Sequence, residues 1–508
     1  MRWMGRHRFS CFAVAALVVA AVPSAEPELA AAATLRVGPD KPYRTIRSAA
    51  LAVQNGDVVE VDARLYSGDV ATWSKSNLTV LAVGGGRAQL RANGAAEAGK
   101  GIWVVSGANI TLDGFEFSGA AVPDRNGAGI RAQGAGTLVV RNCYFHDNEN
   151  GILGGADSLV VESSIFDHNG NGDGHTHNMY IDHGGSFTLR WSFSHRAVVG
   201  HNVKSRALRN YILYDRILDE SDGTGSYSVD LPQGGRSYLV GNFIEQGPQS
   251  GNPAIVAYAA ESASNGALEL YVTYNTLVND RTGGGTFLQL RSGTTATSTG
   301  NIFYGPGTTW SGGSSVAASR NHVAPALDNE PRFADPRAYD YRLTSTSPRG
   351  ASGIVDAGAD PGFAPGGFDL EPHFQYVYEA GNQTRAPLGS LDLGAFELGT
   401  PPSGAGPGGD DSDHTGGVRR LSAHPNPAPA GRTVVSFSIP ARQNVRLRVF
   451  SMSGRYVATL ADGEIGPGEV QVPWDATDHR GRRVASGKYV YRIETRGTSQ
   501  SKSLLLVH

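Results

Sequence analysis

Three short segments, HNMYIDH at His177–His183, HNVKSRA at His201–Ala207 and GSYSVDL at Gly225–Leu231, line up 24 positions apart, twice running. Alternate side chains of a strand face opposite ways, so Met179 and Ile181, Val203 and Ser205, and Tyr227, Val229 and Leu231 form an inward set. The outward set is polar throughout: Asn178, Tyr180 and Asp182, then Asn202, Lys204 and Arg206, then Ser226, Ser228 and Asp230. Three such segments read as consecutive coils of a parallel β-helix. With neighbouring strands about 4.8 Å apart, Lys204 falls beside Tyr180, and Arg206 between Asp182 and Asp230. Spacing alone thus brings an acid, a base and a cation to one outward face.

The pattern extends both ways. ITLDGFEF, LVVRNCYF, LVVESSIF, FTLRWSFS, LYDRILDE, YLVGNFIE, YVTYNTLV and TSTGNIFY recur from Ile110 to Tyr304, and taking Tyr144, Ile165, Phe193, Ile217, Ile244, Leu277 and Phe303 as inward anchors gives spacings of 21, 28, 24, 27, 33 and 26. A unit of that period cannot bury its apolar face alone and must stack on its neighbours. Short strands, Gly-Gly turns and uneven spacing favour a β-helix over a leucine-rich solenoid, which needs a stricter leucine pattern, and over a propeller, which needs about 40 residues per blade. Composition agrees: 67 of 508 residues are glycine and 18% are charged, against roughly 7% and 25% in ordinary chains, as repeated tight turns require.

Upstream, Ile46, Ala49, Ala50 and Val53 make one face of a short helix, and Gly56-Asp57 turns the chain into a strand at Val58–Val61. This resembles the N-terminal cap of right-handed β-helix proteins of the pectate lyase superfamily, and a cap is needed because an open coil ends in an unpaired apolar rung. From Asn321 to Leu398 the repeat dissolves into an irregular closure resembling that of bacterial β-helix proteins. Residues 399–417 are a Gly/Pro/Ser/Asp linker, expected to be flexible. Residues 418–508 carry alternating strands (VVSFSI, RLRVFS, YVATL, VQVPW, YVYRIE, SLLLV) separated by turns, a small antiparallel β-sandwich expected to fold by itself. With Pro425-Asn426-Pro427, Gly454, Trp474-Asp475, Gly487, Tyr489 and Lys502 to Val507, it resembles the Ig-like domain of flagellar hook-capping proteins and the sorting tails of bacterial surface proteins. That resemblance implies secretion or attachment machinery as a partner.

The fold class expected is therefore all-β, a right-handed parallel β-helix over 34–398 followed by an Ig-like sandwich. Arg2, Arg6 and Arg8 ahead of an apolar run from Cys11 to Val22 read as a signal peptide within 1–33, too short to span a bilayer, so the protein is expected outside the cell or at its surface. Only Cys143 then remains, a buried structural thiol. A net charge of −3 gives no case for nucleic acid.

Lys204-Ser205 with the following NYILYDRI and YLVGNFI resembles the β-helical lyases that include alginate lyases and chondroitinase B, in which a Lys-Ser pair supplies the proton-abstracting lysine and the next coil an arginine. The resemblance implies a polysaccharide substrate. The family's calcium is left unassigned, because Ala197 and Val199 stand where its acidic ligands would be, and Ser226 to Asp230 where its arginine would be. Elimination from a uronic acid removes the C5 proton and expels the C4 oxygen. Arg206 suits the carboxylate, Lys204 the base and Tyr180 the proton donor, with Lys204 and Tyr180 exchangeable. Asp182, Asp230, Asn178, Asn202, His177, His201, Gln289 and Arg291 are candidates for substrate binding.

Other readings stay open. Asp182, Arg206 and Asp230 could form a surface ion-pair ladder. Asp182 and Asp230, about 9.6 Å apart on this register, approach the roughly 6.5–9.5 Å of inverting glycosidases. A non-catalytic surface protein could bind glycan in the same groove. Strict alternation turns His177 and His201 inward, away from Lys204, unless a bulge reverses them, and a histidine metal site would need three or four converging ligands. Phe287 and Tyr258 suit either sugar stacking or packing.

Overall fold

The computed structural model describes residues 32–399 other than 313, 314, 351, 386 and 388, and 419–507 other than 425–427, 430, 431, 440, 441, 452–455, 467, 496 and 497. Residues 1–31 of the expected signal segment, 400–417 of the expected linker, Pro425 to Pro427 and Gly454 lie outside the described residues.

Residues 34–324 wind into a right-handed parallel β-helix. Every strand pairs with the equivalent strand one coil away, giving parallel sheets of twelve, ten and eleven strands among the described residues. The cap helix spans Ile46–Ala52, with the Thr45 side chain accepting from the Ser48 amide at 3.1 Å. Its face of Ile46, Ala49, Ala50 and Val53 is buried against the first coil. Inside, one continuous apolar column runs from Leu35 to Phe303 and includes Trp73, Trp103 and the stacked rings of Phe117, Phe145 and Phe166.

Two asparagine-rich ladders line the corners. In the first, backbone amides are capped in turn by Ser164, Ser192, Asp215, Asn242, Asn275, Asn301 and Asn321, beginning at the amide of buried Cys143. In the second, Nδ2 of Asn148, Asn169, Asn178 and Asn202 donates to the next member at 2.8 to 2.9 Å, ending on Asp219. Buried polar groups at corners must be paired, and these ladders pair them coil by coil.

The eleven-stranded sheet shows a slip of one residue against the expected anchors. The aligned inward row is Phe145, Phe166, Ser194, Ile217, Ile244, Leu277 and Phe303. Tyr144, Ile165 and Phe193 therefore point outward. They are apolar because that outer face is also covered: residues 333–396 fold back along it, placing Phe333, Tyr341, Ile354, Val355, Tyr376 and Leu393 in one cluster with Ile165, Phe193, Phe243 and Ile302. A sheet buried on both faces loses the alternation that marks direction.

The C-terminal unit comprises sheets of three and five strands among the described residues, mostly antiparallel, closed over Leu421, Phe437, Leu447, Trp474, Tyr491, Ile493 and Leu504. Its Lys488 reaches the outer face of the twelve-stranded sheet, 2.8 Å from Glu162 Oε1. The ten-stranded sheet thus presents the candidate row on the side away from both coverings.

Candidate functional site

Lys204 occupies a row of outward positions that runs Arg131, Leu153, Tyr180, Lys204, Asp230, Ala257, Gln289 and Ser311 on consecutive coils of the ten-stranded sheet. Tyr180 beside Lys204 agrees with the 24-residue spacing. The next step is 26 residues, which sets Asp230 against Lys204 and not against Arg206. The cause is the preceding turn: Ile217 to Val229 is 12 positions where Ser194 to Val203 is 9, and a corner absorbs the excess without disturbing either sheet.

A second correction concerns the corner itself. The strands here span only Met179–Ile181 and Val203–Ser205, so alternation stops before the asparagines. Asn178 and Asn202 turn inward, fully buried in the second ladder, and contact no groove; Ser228 is likewise buried. His177 and His201 rotate to the opposite side. Gly200 permits this close stacking, since a Cβ there would lie 1.8 Å from the Thr176 carbonyl oxygen. The imidazoles of His177 and His201 stack at 4.7 Å, Tyr227 stacks on His201 at 5.2 Å, and His177 meets the Tyr180 ring edge-on at 5.3 Å. Tyr227 therefore joins this stack and does not fill the coil interior.

The charged centre is compact. Lys204 Nζ lies 3.2 Å from Asp230 Oδ2 and 3.3 Å from Glu261 Oε1. Arg206 donates from Nε to the Tyr180 hydroxyl oxygen at 2.8 Å, and its Nη2 is 2.6 Å from Glu261 Oε2. Both cations flank the Tyr180 ring, at 5.4 and 5.7 Å from its centroid. His201 Nε2 is 3.5 Å from Asp230 Oδ2. The Asp230 side chain is only 3% exposed whereas that of Glu261 is 46% exposed.

Electrostatics follow from burial. Desolvation, opposed by Lys204, pushes the Asp230 carboxyl up to about 6. Burial and then the Lys204 charge push His201 down to about 3, and burial with the neighbouring His201 holds His177 well below its ordinary value. Both are neutral imidazoles whose Nδ1 accepts a backbone amide, from His201 and Tyr227 respectively, leaving Nε2 as the protonated nitrogen. Burial works to raise the Glu261 carboxyl, but Arg206 and Lys204 hold it below its ordinary range.

The remaining candidates disperse. Asp182 is exposed and bonds the adjacent His183, so the Asp182/Asp230 pair is not assembled around Arg206. Gln289 stays on the row, half-buried, two coils beyond Asp230. Arg291 is exposed and donates to the Ala259 carbonyl at 3.4 Å, bracing the loop that carries Glu261. Phe287 packs on Phe303 in the core, and Tyr258 is buried with its hydroxyl on the Gly235 carbonyl. Among the described residues no group of three or more His, Cys, Asp or Glu is arranged to hold a metal. Glu261 was invisible to periodicity: it is one acid in a Ser/Asn/Ala loop, 57 positions from Lys204, and only the coil geometry brings it back.

A family model described as a right-handed beta helix region matches residues 71–203. No curated protein matches the chain. Among solved structures, the chain is similar to pectate lyase Pel9A at 16% identity and a TM-score of 0.47, over 72% of this chain and 96% of that one. It is also similar to tailspike protein 2 of Escherichia coli O157:H7 bacteriophage CAB120 at 9% identity and a TM-score of 0.28, over 88% and 64%. Latent PorU from Porphyromonas gingivalis aligns at 17% identity and a TM-score of 0.17, over 22% of this chain and 10% of that one.

Proposed function

We propose that the protein cleaves a uronic-acid-containing polysaccharide by β-elimination in the groove over the ten-stranded sheet. The observation that carries this reading is the bridging carboxylate of Glu261, held by Arg206 and Lys204 over Tyr180. It occupies the position a uronate carboxylate would take, so the pair of cations forms a receptor for that group. When substrate displaces Glu261, Arg206 holds the substrate carboxylate and offsets the charge that develops as C5 loses its proton. Freed of Glu261, Lys204 passes one ammonium proton to the carboxylate of Asp230, 3.2 Å away, and its neutral amine then takes the C5 proton. Electrons of the broken C5–H bond form the C4–C5 double bond, the C4–O bond breaks, and Tyr180 gives its hydroxyl proton to the departing oxygen. Arg206 already donates to the Tyr180 oxygen, which leaves the phenolic proton free for that transfer. Asp230 and the neutral His201 position Lys204 from beneath.

Removing the base or the acid should each lower kcat/KM by about 10²- to 10⁴-fold. Lys204→Ala strips buried Asp230 of its cation, so folding is checked alongside, and Tyr180→Phe supplies a variant that keeps the ring against His177. Near-normal turnover in both well-folded variants would remove these residues from the mechanism. Glycan binding without turnover in the unmodified protein would make the groove a binding surface only.

A further inference from the structure

A second feature lies on the outer face of the eleven-stranded sheet, away from Lys204, where the closing segment crosses it. Tyr304, at the end of strand Ile302–Tyr304, and Tyr341, in strand Asp340–Leu343, meet edge-on with centroids 6.1 Å apart. Together with Asp280, Leu327, Pro336, Arg337 and Tyr339 they line an open cavity of about 200 Å³. That is below the roughly 300–1,000 Å³ of drug-sized sites and fits one small ring or head group, not an oligosaccharide.

The lining carries one acid, one base and three tyrosines. The Asp280 backbone amide is bonded to the Gln246 carbonyl, but its carboxylate has neither a hydrogen bond nor an ion pair among the described residues. Arg337 is exposed at the cavity and makes no bond to that carboxylate, whereas the nearest arginine in sequence, Arg281, is turned onto the Ser250 and Asn252 carbonyls. A partly buried carboxylate with no ion pair, in a pocket that three tyrosines line, has two properties that recognise an organic cation: a charge to balance it and aromatic side chains beside it. A neutral sugar would use the rings and leave the carboxylate unpaired.

We propose that this cavity binds a small organic ammonium group, as carried by an amino sugar or a choline-type head group. The inference is independent of the lyase reading, since it uses a different sheet and none of the same residues.

The full-length protein is titrated with D-glucosamine, choline, D-glucose and N-acetyl-D-glucosamine, with binding read by calorimetry and by the tyrosine ring signals in NMR. Saturable binding of glucosamine or choline, at least tenfold tighter than either neutral sugar, is the expected result, and whichever cation binds more tightly identifies the source. Asp280→Asn, isosteric with its backbone bond retained, should abolish the preference for the cation. Tyr339→Leu, at a half-exposed position, should weaken it several-fold and decides the matter if the first variant fails to fold. Failure of both cations to bind, equal binding of the neutral sugars, or an undiminished preference in both variants would overturn the proposal.

Discussion

On the proposed elimination, Glu261 is the residue on which the chemistry turns, because it pairs with the same Arg206 and Lys204 that a uronate would need. Its half-exposed pairing is worth little in stability, the scale of a surface ion pair, and on that proposal a uronate would displace it. Glu261→Gln should therefore lower KM roughly two- to fivefold, the range of an exposed pair, while kcat changes less. Steady-state kinetics check this; a raised KM would make Glu261 part of the binding surface and not a stand-in for the uronate. Asp219 provides a second test. It ends the second ladder fully buried, and desolvation pushes its carboxyl up to about 7. Because the folded state holds this proton more tightly than the unfolded chain, the stabilisation is complete below pH about 4 and is lost as pH rises through about 7. Asp219→Asn keeps an acceptor for Asn202 and removes the titration. Its melting temperature should fall less than that of the unmodified protein between pH 4 and pH 8, the difference being bounded by about 4 kcal/mol. Equal slopes would show that Asp219 does not titrate in this window.

At the scale of elements, the ladders are what fix coil on coil. Asn275 accepts from the amide and side chain of Asn242 and donates to Leu239, Thr273 and Asn301, all in the dry interior. Asn275→Ala strands several buried groups and should cost about 2–5 kcal/mol, read as a lower urea midpoint. A change below about 0.5 kcal/mol would mean that the ladder contributes nothing net. The same corners mark where sequence reasoning worked and where it failed. The period of the coils, the cap helix and the Tyr180–Lys204 neighbour pair were legible because apolar alternation reports directly on one buried face. The inward turn of Asn178 and Asn202 was not, since a three-residue strand ends before the asparagine and the corner resets direction. Tyr144, Ile165 and Phe193 were assigned one residue out because both faces of their sheet are apolar. Asp230 was misplaced by two because an extended corner carries no periodic signal.

For the whole molecule, function follows from which outer face is left free. The closing segment covers the eleven-stranded sheet with an apolar cluster. The C-terminal unit, with its own core, touches the twelve-stranded sheet through Lys488; burial works to raise the Glu162 carboxyl, but Arg190 and Lys488 together hold it down at about 2. The face that bears Lys204, Arg206 and Tyr180 remains, and stacked coils about 4.8 Å apart give it the length to take a linear polymer. The most direct measurement incubates the full-length protein with a panel of polyuronates and glycosaminoglycans and follows the ultraviolet absorbance of unsaturated uronate. The expected result is a rise in absorbance on at least one polymer that disappears in Lys204→Ala. New reducing ends without that absorbance, or binding of a polymer without any cleavage, would contradict elimination as the chemistry of this site.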